Sequence, residues 1–303
     1  MKIAIIGLGG VGGFFGGKLA LHYASSHEHD IFFVARGPHL DIIQKTGLTV
    51  ITAGGEFTAV PTLATDEPSQ LGPLDLVIIC VKGYDLENAA RMISGNLHAG
   101  SITIPLLNGV DNVERLQPLV PAGTLLNGCV YISAHIAAPG TIKHAGGPGT
   151  LIFGPGDGVI TPYKDLEVTL ANAGIDAVLS DHIAVDVWSK YIFIGPLAGL
   201  TSMAAQPLGA ILENTRFRIM LEGMMKEIKL IADARGVTLP PDIVTQSLAT
   251  ASKFPYETRS SLQLDFEKGG ETEIETFTGY VVNTGRKLKI RTPYHDEVYA
   301  ALA

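Results

Sequence analysis

At 303 residues, 46% hydrophobic and 17% charged, the chain is long enough for two domains and too apolar to be disordered. A formal charge of −8 with no basic run excludes nucleic acid or an anionic membrane surface as the main ligand. Two cysteines, Cys80 and Cys129, exclude a disulfide scaffold and fit a reducing, cytoplasmic compartment, and 35 glycines without a period exclude repeat architectures.

Lys2 is followed by an uncharged run, Ile3 to Gly17, in which seven of fifteen residues are glycine. That much glycine spoils the apolar helix of a secretory signal. No segment is expected to reach the ~18 apolar residues that span a bilayer. Residues 2–6 (KIAII) read as a buried strand, followed by a glycine turn and a helix over 10–24. A second strand covers 31–35, and 48–60 reads as a hairpin around Gly54-Gly55. Continuous apolar runs at 74–81 and 101–107 read as further buried strands. Strands alternating with helical spacing imply a parallel sheet with helices on both faces.

From Thr124 to Gly158, short β-type runs separated by Pro and Gly read as antiparallel strands extending that sheet. A helix near 162–173 and a strand near 175–179 close the first domain. Beyond Asp181 the pattern is helical. It is clearest over 215–235, where Phe217, Met220, Leu221, Met224, Met225, Ile228 and Ile231 recur at threes and fours and read as core. The expected architecture is an α/β domain with a Rossmann-type doubly wound sheet over residues 1–181, followed by an all-α domain over 182–303.

The run Gly7-Leu8-Gly9-Gly10-Val11-Gly12 is a G-x-G-x-x-G that directly follows a strand and opens a helix, the context in which it is informative. Gly7 permits the tight turn, Gly9 lets a pyrophosphate approach the backbone, and Gly12 lets helix and strand pack closely. The helix N-terminus then favours two phosphates. Strand 31–35 is followed by Arg36, with no acid at that end, and Asp30 lies at the wrong end to bind a ribose. An arginine there suits a 2′-phosphate, so NADPH is the expected cofactor. Lys82 and Asn108 follow the next two strands at their carboxyl ends, where ligands of open α/β sheets lie, and either can touch the cofactor.

Two charges in the helical half point inward. Ile183, Val187, Ile194 and Leu197 fall within about 60° of Lys190 on a helical wheel. Glu273 lies about 50° from the centre of an apolar face formed by Ile274, Phe277, Tyr280, Val281 and Leu288, while Glu271 and Glu275 are more than about 100° away. A lysine made acidic by burial can donate a proton near neutral pH. A buried structural ion pair is the bland alternative.

Taken together, these segments resemble the ketopantoate reductases (2-dehydropantoate 2-reductases) along essentially the whole chain. The Gly7–Gly12 turn, Arg36, Lys82 and Asn108-Gly109 look like that family's NADPH-contacting positions. Trp188-x-Lys190 looks like its catalytic-lysine segment, and Ser260-Ser261, Asp265, Thr272-Glu273-Ile274 and Gly279 like its second signature. The resemblance implies Lys190 and Glu273 as the catalytic pair and Thr201 and Ser261 as further substrate contacts. It implies reduction of 2-dehydropantoate to pantoate, in pantothenate biosynthesis, with no metal. The family's usual substrate-contacting asparagines are Ile194, Ala198 and Thr258 here. The same hydride transfer on a different small 2-oxo acid is therefore an alternative, and a non-catalytic NADPH-binding sensor is another. No nucleic acid or membrane partner is expected, and a homodimer is compatible with the sequence.

Overall fold

The computed structural model describes residues 1–26 and 28–303. In chain order the strands are β1 (Lys2–Ile6), β2 (Asp30–Val34), β3 (Leu48–Thr52), β4 (Gly55–Ala59), β5 (Leu63–Thr65), β6 (Leu74–Ile79), β7 (Leu97–Pro105), β8 (Thr124–Leu125), β9 (Asn127–Ala138), β10 (Thr141–Gly154) and β11 (Asp176–Leu179). The helices are α1 (Gly10–Tyr23), α2 (Gly37–Thr46), α3 (Leu86–Ile93), α4 (Asn112–Leu116), α5 (Lys164–Asn172), α6 (Ile183–Ala204), α7 (Leu208–Glu213), α8 (Thr215–Ala234), α9 (Ile243–Ala251), α10 (Ser261–Glu267), α11 (Tyr280–Leu288) and α12 (Pro293–Leu302). The chain divides into two compact units, one of residues 1–107 and 111–183, the other of residues 108–110 and 184–303.

The first unit contains a six-stranded sheet in the order β5-β2-β1-β6-β7-β8, and every pairing in it is parallel. Counted within the sheet, this is the 3-2-1-4-5-6 order of a dinucleotide-binding fold, whose order reverses between β1 and β6. Alternation along β1 explains why both faces are covered. Ile3 and Ile5 join one buried cluster with Phe14, Phe15 and Leu19 of α1, whereas Ala4 and Ile6 join another with Leu86, Ala89, Ala90 and Ile93 of α3.

One expectation about the sheet is corrected. Apart from Thr124–Leu125, the segment 124–158 does not extend the parallel sheet. Strands β9 and β10 pair antiparallel with each other and build a second, five-stranded sheet with β3, β4 and β11. Helix α1 lies between the two sheets, and its glycines make this possible. A Cβ on Gly12 or Gly16 would meet the parallel-sheet side: 2.0 Å from Gly7 O for Gly12, and 3.1 Å from Ile5 and Phe33 for Gly16. A Cβ on Gly10, Gly13 or Gly17 would meet the second sheet, at Ala134 O, Ile142 and Val50. At 100° per residue the two groups are centred about 110° apart, on separate faces of one helix. The 48–60 hairpin is present, but Thr52 pairs with Gly55, so its two-residue loop is Ala53-Gly54 rather than Gly54-Gly55.

The second unit is helical and organised around its own core. Trp188, Tyr191 and Ile192 of α6 pack with Met220, Leu221, Met224, Met225 and Ile228 of α8, and with Phe277 and Val281. Helix α6 also corrects an expectation: its 22 residues are long and apolar enough to cross a bilayer by length and composition. Two-thirds of its most apolar window (67%) is buried inside the protein, as in a core helix.

Candidate active site

In the first unit, the carboxyl ends of the central strands carry a backbone cradle. Gly7 follows β1 with φ of +92°, in the left-handed region that glycine adopts without strain, and its N–H donates to Val34 O at 2.9 Å. The peptides around Gly12 approach so closely that no side chain fits there. A Cβ on Gly9, by contrast, would meet nothing within 4 Å. Gly9 is the N-cap of α1, supplies no side-chain cap, and no acidic residue occupies the first turn. The N-terminus of α1 thus leaves room beside Gly9 and carries no competing carboxylate, which fits the diphosphate of a dinucleotide.

Arg36 sits two residues beyond β2, at the N-cap of α2. Its guanidinium is 85% exposed and pairs with Asp85 at 3.1 Å. Lys82 precedes a single 3₁₀ turn, Gly83–Asp85, after β6. That turn is fixed from behind by Arg115, which donates to Gly83 O at 2.6 Å and to both Glu87 oxygens at 2.8 and 2.9 Å. The same guanidinium holds the Glu87 carboxyl below the ordinary glutamate range.

The second unit carries the charged groups. Lys190 is 9% exposed and Glu273 is 6% exposed, while Glu271 and Glu275 are exposed. Lys190 Nζ donates to Asn108 Oδ1 at 2.8 Å. Asn108, expected at the cofactor, therefore takes part in holding the ammonium. Glu273 precedes a π-helical turn, Glu275–Gly279, whose backbone begins with Phe277 N–H donating to Glu273 O at 3.1 Å. Further along α6, the Thr201 hydroxyl lies 2.8 Å from both Leu197 O and Ser260 Oγ. Ser261, the expected substrate contact, is exposed at the first position of α10.

Two contributors, Asp85 and Tyr191, escaped the sequence reading, and Ser260 is read there only as part of the second signature and not as a cap. Ser260 caps α10 by accepting from Gln263 N–H at 3.1 Å, and Ser260-x-x-Gln263 carries the capping-box spacing that signals it. Asp85 partners Arg36. Tyr191 donates into the π turn, a role with no local signal in the sequence.

A family model described as "Ketopantoate reductase PanE/ApbA" matches residues 3–158, and one described as "Ketopantoate reductase PanE/ApbA C terminal" matches residues 182–303. The chain is 30% identical to "Uncharacterized oxidoreductase YkpB" of Bacillus subtilis (strain 168), over 100% of this chain and 98% of that protein. It is 29% identical to a "2-dehydropantoate 2-reductase" of Halobacterium salinarum, over 97% of this chain and 95% of that protein. The crystal structure of a PanE/ApbA family ketopantoate reductase from Ralstonia eutropha JMP134 superposes with a TM-score of 0.90 at 29% identity, covering 99% and 96% of the two chains.

Proposed function

This chain belongs to the ketopantoate reductase family and is an oxidoreductase, and from that premise we propose that it reduces 2-dehydropantoate to pantoate with NADPH. The bound nicotinamide dinucleotide supplies the hydride. The Gly7–Gly12 turn holds its diphosphate on the first N–H groups of α1, Arg36 reads its 2′-phosphate, and Lys82 closes the same edge.

Lys190 is the general acid. An ammonium carries three donors, so it can hold Asn108 Oδ1 and still donate to a substrate ketone. Polarising that oxygen and delivering a proton to the developing alkoxide is the service that lowers the barrier. Glu273 keeps the lysine charged and accepts from a substrate hydroxyl. Thr201 and Ser261 are the further substrate contacts. The observation that carries this reading is burial with selection: one lysine and one of three neighbouring glutamates are drawn inside the helical unit, and the lysine is fixed by Asn108.

A second reading keeps the chemistry and changes the substrate. Ile194 and Ala198 follow Lys190 on α6, and the Thr201 hydroxyl is engaged by Leu197 O and Ser260. That favours a 2-oxo acid with an apolar side chain. Cys80 and Cys129, both present as thiols rather than in a disulfide, fit action in a reducing compartment.

The test is NADPH oxidation across a panel of 2-oxo acids, for wild type and Lys190→Ala. The variant is expected to lose more than about a hundredfold in kcat, the scale of general acid catalysis, with NADPH binding kept. Near-normal turnover by the variant would end the assignment, and the preferred acid in the panel decides between the two substrates.

A further inference from the structure

Tyr191 follows Lys190 on α6 and is 1% exposed. Its hydroxyl donates to Thr276 O at 2.8 Å and lies 3.1 Å from Phe277 O, two successive carbonyls of the π turn. The Phe277 N–H in turn donates to Glu273 O at 3.1 Å. A two-link chain of hydrogen bonds therefore runs from the residue beside Lys190 to the main chain of Glu273. Three rings brace it. Trp188, Tyr191 and Tyr280 pack edge to face with centroids 6.1 to 6.2 Å apart, joining α6 to the start of α11.

A π turn is costlier than an α turn and is a frequent device at functional sites. Here it redirects the chain just after Glu273, and its carbonyls accept from a side chain that a regular helix would not need. The phenol is a single donor in a dry core, where removing it leaves two buried carbonyls less satisfied. Such a bond fixes position far better than packing alone, because it specifies both distance and direction.

We propose that Tyr191 is a positioning residue: its hydroxyl locks the π turn onto α6 and thereby sets the register of Glu273 against Lys190. The proposal rests on the reductase reading for its consequence in catalysis, but its physical content concerns the environment of Lys190 and can be measured without turnover.

The experiment is a ¹³Cε-lysine NMR titration of the cofactor-free protein, with the Lys190 resonance assigned through Lys190→Ala. It is run on wild type and Tyr191→Phe, beside pH–rate profiles and melting curves. With Glu273 out of register, the carboxylate that the proposed function sets beside the buried ammonium is displaced, and the Lys190 midpoint falls by about one pH unit or more. kcat falls about tenfold with KM little changed, and 4-aminophenylalanine at position 191, which keeps a donor, restores both. A folded Tyr191→Phe with an unmoved Lys190 midpoint and an unmoved pH–rate profile overturns the proposal, even if its melting temperature drops. Should Tyr191→Phe not fold, 4-fluorophenylalanine at 191 keeps the ring and fills the hydroxyl's place without a donor, and an unmoved midpoint there overturns it equally. If Tyr191→Phe moves the midpoint while Lys190→Ala still turns over, the reductase reading falls and the positioning role stands.

Discussion

The two units carry their functional information in opposite ways. In the first, the cradle is made of missing side chains: Gly7 bends, Gly9 leaves room and Gly12 permits contact. In the second, the site is made of side chains that should not be buried, Lys190 and Glu273, held inside an apolar core. A backbone cradle depends on a few consecutive residues, so it is compact in sequence and tolerant of what surrounds it. Buried charges depend on several helices at once, and their meaning comes from what each one touches.

The sharpest way to break this contrast is within the glycine turn itself. Gly12→Ala would set a Cβ 2.0 Å from Gly7 O and 2.9 Å from the Cys80 Cβ, so α1 must move off the sheet. We expect a loss of about 2–3 kcal/mol of stability, the scale of overpacking, together with loss of dinucleotide binding. Gly9→Ala meets no neighbour, and the N-cap φ of −69° suits any residue. Its stability should stay within about 0.5 kcal/mol of wild type. Its dinucleotide affinity should nonetheless fall about tenfold or more, because the methyl stands where the diphosphate approaches. Thermal unfolding beside fluorescence titration with NADPH separates the two. Normal binding by Gly9→Ala would show that the turn is only a packing device.

This contrast also explains what the sequence disclosed. Strands β1, β2, β6 and β7 and the glycine turn were legible because their signals are local: continuous apolar runs and a motif in context. The wheel picks Glu273 from its neighbours and its burial agrees, although Glu273 itself lies just ahead of the helix and the turn that follows is π-helical. The second sheet was not legible. Whether β9 and β10 extend the parallel sheet or stack across α1 depends on pairing with β3, some ninety residues earlier in the chain, and on glycines whose second face has no meaning until that sheet exists. Asn108 is a similar case. An Asn-Gly turn looks the same whether it meets a cofactor or an ammonium, and only the fold shows its oxygen on Lys190.

A smaller effect sharpens the first unit's cofactor assignment. Arg36 is exposed and its pair with Asp85 is worth little to stability, so Arg36→Ala should fold normally. NADPH affinity should drop about tenfold while NADH affinity stays put, because only the former carries a phosphate for a bidentate guanidinium. Equal losses for both cofactors, measured in parallel titrations, would remove Arg36 as the reader of the 2′-phosphate.

The smallest effect tests whether burial of charge by itself marks a site in the second unit. His295 and Glu227 form a buried pair there, with His295 0% exposed and Nδ1 2.6 Å from Glu227 Oε2. Glu227 also accepts from the Tyr294 and His295 N–H groups at 2.9 and 3.1 Å, so a side chain of α8 caps the first turn of α12. That is structural work, and it occupies both carboxylate oxygens. Burial, opposed by the Glu227 carboxylate, holds the folded imidazole below the ordinary histidine value of 6.5. The unfolded ring then binds a proton that the folded ring refuses, so stability is full above that value and is lost as pH falls through it. His295→Asn keeps an N–H for Glu227 and removes the titration. Between pH 7.5 and 5.5 the wild type should lose on the order of 2–4 °C more in melting temperature than this variant, the response of a chain this long to ~1 kcal/mol. kcat at neutral pH should be the same in both. A variant that lost turnover instead would mean that this pair is not purely structural, and the case for Lys190 and Glu273 would have to rest on chemistry alone.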